Sequence, residues 1–149
     1  MLAVLTSFGH FLAFFALTAA VVLKLTLVGQ PMTVDIARRL QRADTAAGLS
    51  ALLVIVFGTL RVLYFEKGSE YYLDNLYFQI KIGLFLLAAL LSVYPTLRFR
   101  SWNAELKQEL APELAATEVA RIRRILHGEL VLLIGVLFCA SLMARGFGI

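Results

Sequence analysis

A polytopic membrane bundle of four helices, all-α, is the fold class this sequence predicts, and three observations point to it. Hydrophobic residues make up 60% of the 149, against about 45–50% in soluble domains. Mean hydropathy is +0.83. The apolar residues also gather into four runs near the roughly 20 residues that a bilayer requires. One integral membrane domain over residues 1–149 follows, with spans near 2–28, 46–65, 76–95 and 128–145.

The first span has no basic residue before it, and its apolar run far exceeds the about 7–15 residues of a signal-peptide core. It is therefore expected to stay in the protein. After it, TVDIARRLQRADTAAGL opens on Thr33, a capping residue, so a short surface helix is expected to run from there into the second span. The third span ends at Pro95. Leu106 and Leu110 then recur one helical turn apart, and Pro112 ends that helix or opens the next. With Gly128 tolerated inside it, the last helix is expected to start near Pro112 and run about 33 residues, roughly 50 Å.

Orientation follows from lysine and arginine. Lys24, Arg38, Arg39 and Arg42 follow span one, and Arg98, Arg100, Lys107, Arg121, Arg123 and Arg124 follow span three; these are ten of the 14 basic residues. Both connectors are expected in the cytoplasm, with the termini and the loop EKGSEYYLDN (Glu66 to Asn75) outside a bacterial inner membrane. Tyr64, Tyr71, Tyr72 and Tyr77 would form the outer aromatic belt, and Trp102 would mark the inner interface. The net charge of +4 and pI near 9.5 thus reflect topology, and nucleic acid is not an expected partner. The one cysteine, Cys139, forms no CxxC or zinc pattern and is expected to pack in span four.

Residues 37–44 (ARRLQRAD) match 122–129 (IRRILHGE) in a pair of arginines, an apolar residue, a basic or titratable residue and an acid. A duplication of two helical hairpins would produce this match, and so would positive-inside patterning acting twice.

The polar groups sort by depth. On the outer half lie His10, Arg61, Lys81 and Arg145, beneath Glu66, Glu70 and Asp74; on the inner half lie Lys24, near the interface, with Asp44, His127 and Glu129. Lys81 sits within an apolar run, where a charge is a functional-site candidate by default. Two readings of it are open, an ammonium that snorkels to the headgroups and one paired inside the bundle. At 100° per residue Thr6, His10, Ala13, Leu17 and Lys24 fall within about 80° of each other, and Lys81, Ala88, Ser92 and Pro95 form a similar stripe, so both stripes are expected to face inward.

For His10 the readings are an imidazole bonded to a helix neighbour such as Thr6, a haem ligand, or a proton-transfer group. His127 lies roughly 15–20 Å away along the normal by helix rise, too far to share an iron with it. Met143 is on the same side as His10, where packing is its ordinary use. Asp44 and Glu129 read either as paired carboxylates for metal or proton handling, or as neutralisers of Arg42, Arg98 or another nearby base. No Gly-rich phosphate loop, Ser/His/Asp triad or HExxH occurs.

The segments SFGHFLAFF, RADTAAGLSALLVIVFGTLRVLYFEKGSEYYLDN, FQIKIGLFLLAALLSVYPTLRF and ELVLLIGVLFCASLMARG resemble a family of small bacterial four-span membrane proteins catalogued as a domain of unknown function. More distantly, the chain resembles the HemJ-type protoporphyrinogen oxidases, four-span proteins with a span-one histidine implicated in haem b binding and an important lysine early in span three. His10 and Lys81 match those two positions. The segment from Arg124 to Glu129 is similar to that family's arginine-rich approach to the last span, without its Asn-Glu pair, and no tryptophan-glycine signature follows His10. Copper-resistance membrane domains are a looser likeness.

That resemblance implies a haem-binding or porphyrin-related oxidoreductase with its site towards the outer leaflet. His10 would be the iron ligand, and Lys81 and Arg61 would face porphyrin propionates or a small anionic substrate. The competing class is a non-catalytic, homo-oligomeric module, whether transporter, channel-like or assembly protein, whose outer cations hold an anion or pair with Glu66 and Asp74.

Overall fold

The computed structural model describes residues 1–65 and 74–147. Among these the chain is helical, without strands. Four helices are long and apolar enough to cross a membrane: α1 (Leu2–Val28), α2 (Val34–Leu60), α3 (Leu76–Ser101) and α5 (Ala116–Ala144), with a short α4 (Asn103–Lys107) between the last two. A π-helical turn, Arg61–Phe65, extends α2. Large apolar side chains such as Phe8, Phe15, Leu52, Leu90, Val131 and Phe138 face outward. In water that surface would be unstable; in lipid it is the solvent-matched one.

The helices form a ring. α1 packs on α2, α2 on α3, α3 on α5 and α5 on α1, and the two diagonals, α1 with α3 and α2 with α5, make no backbone approach. The heaviest contacts are α1 with α2 and α3 with α5, the two hairpins that the sequence match suggests. Small residues let α1 and α2 come close. Gly9 lies beneath the ring of Phe57, so near that an added Cβ would sit 2.8 Å from Cζ.

The core is concentrated at the arginine-rich end of the bundle. Leu17, Val21 and Val28 of α1 meet Ala37, Leu40 and Ala47 of α2, Phe99 of α3, and Ile122 and Leu126 of α5. The expected stripe on α1 is largely the buried one, with Thr6, Ala13, Leu17 and Lys24 inside and His10 half-buried. On α3 the counterparts Ala88 and Pro95 are buried, while Lys81 and Ser92 are half-buried. Cys139 is buried as expected.

Thr33 caps α2, its hydroxyl accepting from the Ile36 amide at 3.2 Å, and the surface helix and the second span are one continuous helix. Three other expectations change. α3 does not stop at Pro95 but runs on to Ser101. The proline removes one backbone donor, yet the turn after it is held by Thr96, which donates to Asp44, and by the buried Phe99.

The last helix begins at Ala116, not near Pro112, and has 29 residues. Glu109 in the left-handed region (φ 57°) ends α4, and an extended stretch, 110–115, precedes α5.

Trp102 is no interfacial anchor. It is 1% exposed, packed on Phe99 at 5.0 Å between ring centroids, because the α3–α5 connector folds back beneath the bundle with Leu106. α2 ties that connector down: Gln41 donates to the Phe99 carbonyl (2.7 Å) and Asn103 (2.9 Å), and Arg38 donates to the Leu106 carbonyl (3.2 Å) and Glu109 (2.7 Å).

At the opposite end Asn75 caps α3, accepting from the Phe78 amide, and its Nδ2 donates to the Phe147 carbonyl at 3.1 Å, so the start of α3 is tied to the tail of α5. Glu66, Glu70, Tyr71 and Tyr72 of the expected acidic loop and aromatic belt lie outside the described residues. Tyr64 is exposed and Tyr77 half-buried.

Candidate functional site

Polar side chains collect at two levels of the bundle. At the end that carries the termini, His10 of α1 reaches α2, its Nδ1 lying 3.1 Å from the carbonyl oxygen of Val54. A carbonyl only accepts, so Nδ1 carries a proton, and in the neutral ring the lone pair is then on Nε2. The partner is thus α2 backbone and not Thr6, whose hydroxyl donates to its own helix at Leu2. Gly58, one turn beyond Val54, gives the imidazole room; a Cβ there would stand 3.2 Å from its Cε1.

Arg61 opens the π-helical turn, and its guanidinium lies 5.3 Å from the ring centroid of Phe11, the neighbour of His10. His10 and Arg61 therefore belong to one α1–α2 surface. Lys81 is on α3, diagonal to α1 in the ring, with Nζ 4.9 Å from the centroid of Phe78 on its own helix. All three are half-buried. π-helical turns are frequent at functional sites, and this one follows directly on the His10 contact.

The second level was not foreseen as a unit. Lys24, placed by sequence depth near the interface, is 0% exposed, and its Nζ lies 3.1 Å from Oδ1 of Asp44 on α2. Thr96 of α3 donates to the same oxygen at 3.0 Å. Glu129 of α5 is 4% exposed, and its Oε2 has no hydrogen-bond partner among the described residues. The charged groups that act on it are Lys24 and Asp44. Lys24, Asp44 and Thr96 thus form one hydrogen-bonded group contributed by α1, α2 and α3, and Glu129 of α5 is a buried acid on which their charges act.

This corrects the reading in which Asp44 neutralises Arg42 or Arg98. Arg98 pairs with Glu118 through two bonds, one of them Nη2 to Oε2 at 3.3 Å, while Arg39 pairs with Asp35. His127 turns its Nδ1 to the Arg123 carbonyl on the exposed face of α5, well away from His10. One sequence signal did point at the cluster: Asp44 and Glu129 are the matched acids of the two eight-residue segments.

Among the described residues no group of three or more His, Cys, Asp or Glu could hold a metal ion. The described residues therefore offer one imidazole whose Nδ1 faces a backbone carbonyl, a half-buried arginine on the same α1–α2 surface, a half-buried lysine on the diagonal helix, and a buried lysine–aspartate pair at the other end. No curated protein and no solved structure matches the chain. A family model described as a predicted membrane protein (DUF2214) matches residues 2–148, and the chain belongs to that family of membrane proteins.

Proposed function

We propose that this membrane protein is a haem-binding or porphyrin-related redox protein, with His10 as the iron ligand and its site at the end of the bundle that carries the termini. One observation carries the reading. The Nδ1–H of His10 is donated to the Val54 carbonyl, the outer-shell contact that ordinarily fixes the tautomer of a metal-ligating histidine and leaves Nε2 as the ligand atom.

The surroundings suit such a group. The tight core lies at the other end of the bundle, and at the His10 end Arg61, on the same α1–α2 surface, and Lys81, on α3, are half-buried. Those two cations would face propionates or a carboxylate-bearing substrate, where charge-assisted hydrogen bonds are strongest. Haem b would supply one-electron chemistry, while the protein's own share is to orient the imidazole, balance the carboxylates and keep the iron ligand in an apolar setting. The likeness to HemJ-type oxidases, through His10 and Lys81, supports the same reading. In this proposal the arginine-rich connectors face the cytoplasm and both termini face outward.

The test is an absorption spectrum of the purified protein, oxidised and reduced. A Soret band and a reduced α-band are expected, lost or shifted in His10→Ala and intact in His127→Ala. A colourless protein that takes up no added haemin would defeat the reading and leave the other class, an oligomeric transport, channel-like or assembly module.

A further inference from the structure

The cluster at the arginine-rich end has no part in that proposal, and its charges do not balance. One ammonium, Lys24, faces two carboxyl groups, Asp44 and Glu129, inside a bundle that lipid surrounds. Asp44 is satisfied, with Lys24 and Thr96 both on Oδ1. Glu129 is not: its Oε2 is buried with no hydrogen-bond partner among the described residues. A carboxylate buried without a donor is among the most costly groups a protein interior can hold, so one more positive charge completes the cluster.

A metal ion is a poor candidate. Thr96 and the two carboxyls are a small oxygen set, hard cations take about six or more oxygens, and no group of three or more His, Cys, Asp or Glu that could hold a metal ion is present among the described residues. A proton needs only the one oxygen.

An opening reaches as far as Asp44. A cleft of about 350 Å³ between α2 and α3, lined by Gln41, Asp44, Thr45, Phe99, Arg100 and Asn103, brings the arginine-rich surface to Asp44. That volume has room for several water molecules.

We propose that Glu129 is a proton-binding site of the bundle, electrostatically coupled to the Lys24–Asp44 pair, which the α2–α3 cleft opens to the arginine-rich side. Loading forms one O–H bond on the Glu129 carboxyl with a proton delivered from water, and no electron moves. The loaded cluster is a neutral carboxylic acid beside a balanced ion pair, and the unloaded one carries a net negative charge. Such a group exchanges protons between an aqueous cleft and the centre of a membrane protein, the ordinary use of a buried carboxyl at that depth.

The other titratable groups nearby are engaged elsewhere. On α3, Tyr94 lies beneath Arg121 and Arg98 pairs with Glu118. On α5 itself, His127 is exposed and bonded to the Arg123 carbonyl. Lys24 is the charged residue that α1 presents and Asp44 the one that α2 presents.

The test is infrared difference spectroscopy of the full chain in lipid nanodiscs during a pH change, in sodium and in choline buffer. The expected result is a carboxylic-acid C=O band that Glu129→Gln abolishes, that Glu129→Asp retains at a shifted position, and that is the same in both buffers. Lys24→Met should move the band, because it removes the neighbouring ammonium. A band that survives in Glu129→Gln, or the absence of any such band in the native chain, would overturn the proposal. So would a sodium-dependent rise in melting temperature that Glu129→Gln removes, since the bound cation would then be sodium. If Glu129→Gln fails to fold, as judged by its helical circular dichroism, the Glu129→Asp shift decides; an unshifted band there counts against Glu129.

Discussion

Nζ of Lys24 lies 3.1 Å from Oδ1 of Asp44, 20 positions later in the chain and on the adjacent helix, with both side chains withdrawn from the surface. Lys24→Met leaves Asp44 buried without its countercharge, a loss of about 3–5 kcal/mol. Lys107→Met removes an exposed lysine and is expected to change stability by no more than about 0.5 kcal/mol. Thermal melts of both variants in the same detergent check this, and an equal drop in the two would contradict the buried pair.

The surface pair Arg98–Glu118 is the internal comparison. Both partners are partly exposed, so Glu118→Gln, which removes the charge and one of the two acceptors, is expected to cost at most about 1 kcal/mol. A melting-temperature drop as large as that of Lys24→Met would mean that burial is not what distinguishes the two pairs.

How much of this was legible follows from where each signal resides. The spans, the Thr33 cap and the inward stripe from Thr6 to Lys24 are local, written in periodicity and capping chemistry, and they were readable. The Lys24–Asp44–Thr96–Glu129 cluster joins four helices, and no local pattern encodes which faces meet. Arginines close in sequence to Asp44 offered a nearer partner, but Arg38 and Arg39 point to the surface, where Glu109 and Asp35 take them up. Trp102 misled for a related reason: interfacial tryptophan is a statistical expectation, and the folding back of the connector is a tertiary event. At the other end His10 was legible as unusual, while its partner was not, because a backbone carbonyl such as that of Val54 carries no sequence signature.

Gly58 gives a way to disturb His10 without touching it. A methyl group at position 58 would stand 3.2 Å from Cε1 of the imidazole, so the ring must give by a few tenths of an ångström against its bond to the Val54 carbonyl. Gly58→Ala is expected to weaken haemin retention several-fold with little change in melting temperature. Gly9→Ala, whose methyl would meet the Phe57 ring at 2.8 Å, should instead lower stability by about 1–3 kcal/mol as an overpacked helix contact. A Gly58→Ala protein with native haemin affinity would separate His10 orientation from ligand binding.

The proposed orientation has its own check. Single cysteines at Ser69 and Ala116 in a Cys139→Ala background should react with an impermeant thiol reagent from outside and only after permeabilisation, respectively. Labelling of position 116 in intact cells would invert the topology and place the Glu129 cleft on the outer side.

The central claim is tested most directly by titrating the apoprotein with haemin in detergent and following the Soret absorbance, for the native chain beside His10→Ala and Lys81→Met. The expected result is saturable binding by the native chain, loss of the band or a shift to that of free haemin in His10→Ala, and weakened retention in Lys81→Met. Identical titration curves for the native chain and His10→Ala would contradict the assignment of His10 as the iron ligand.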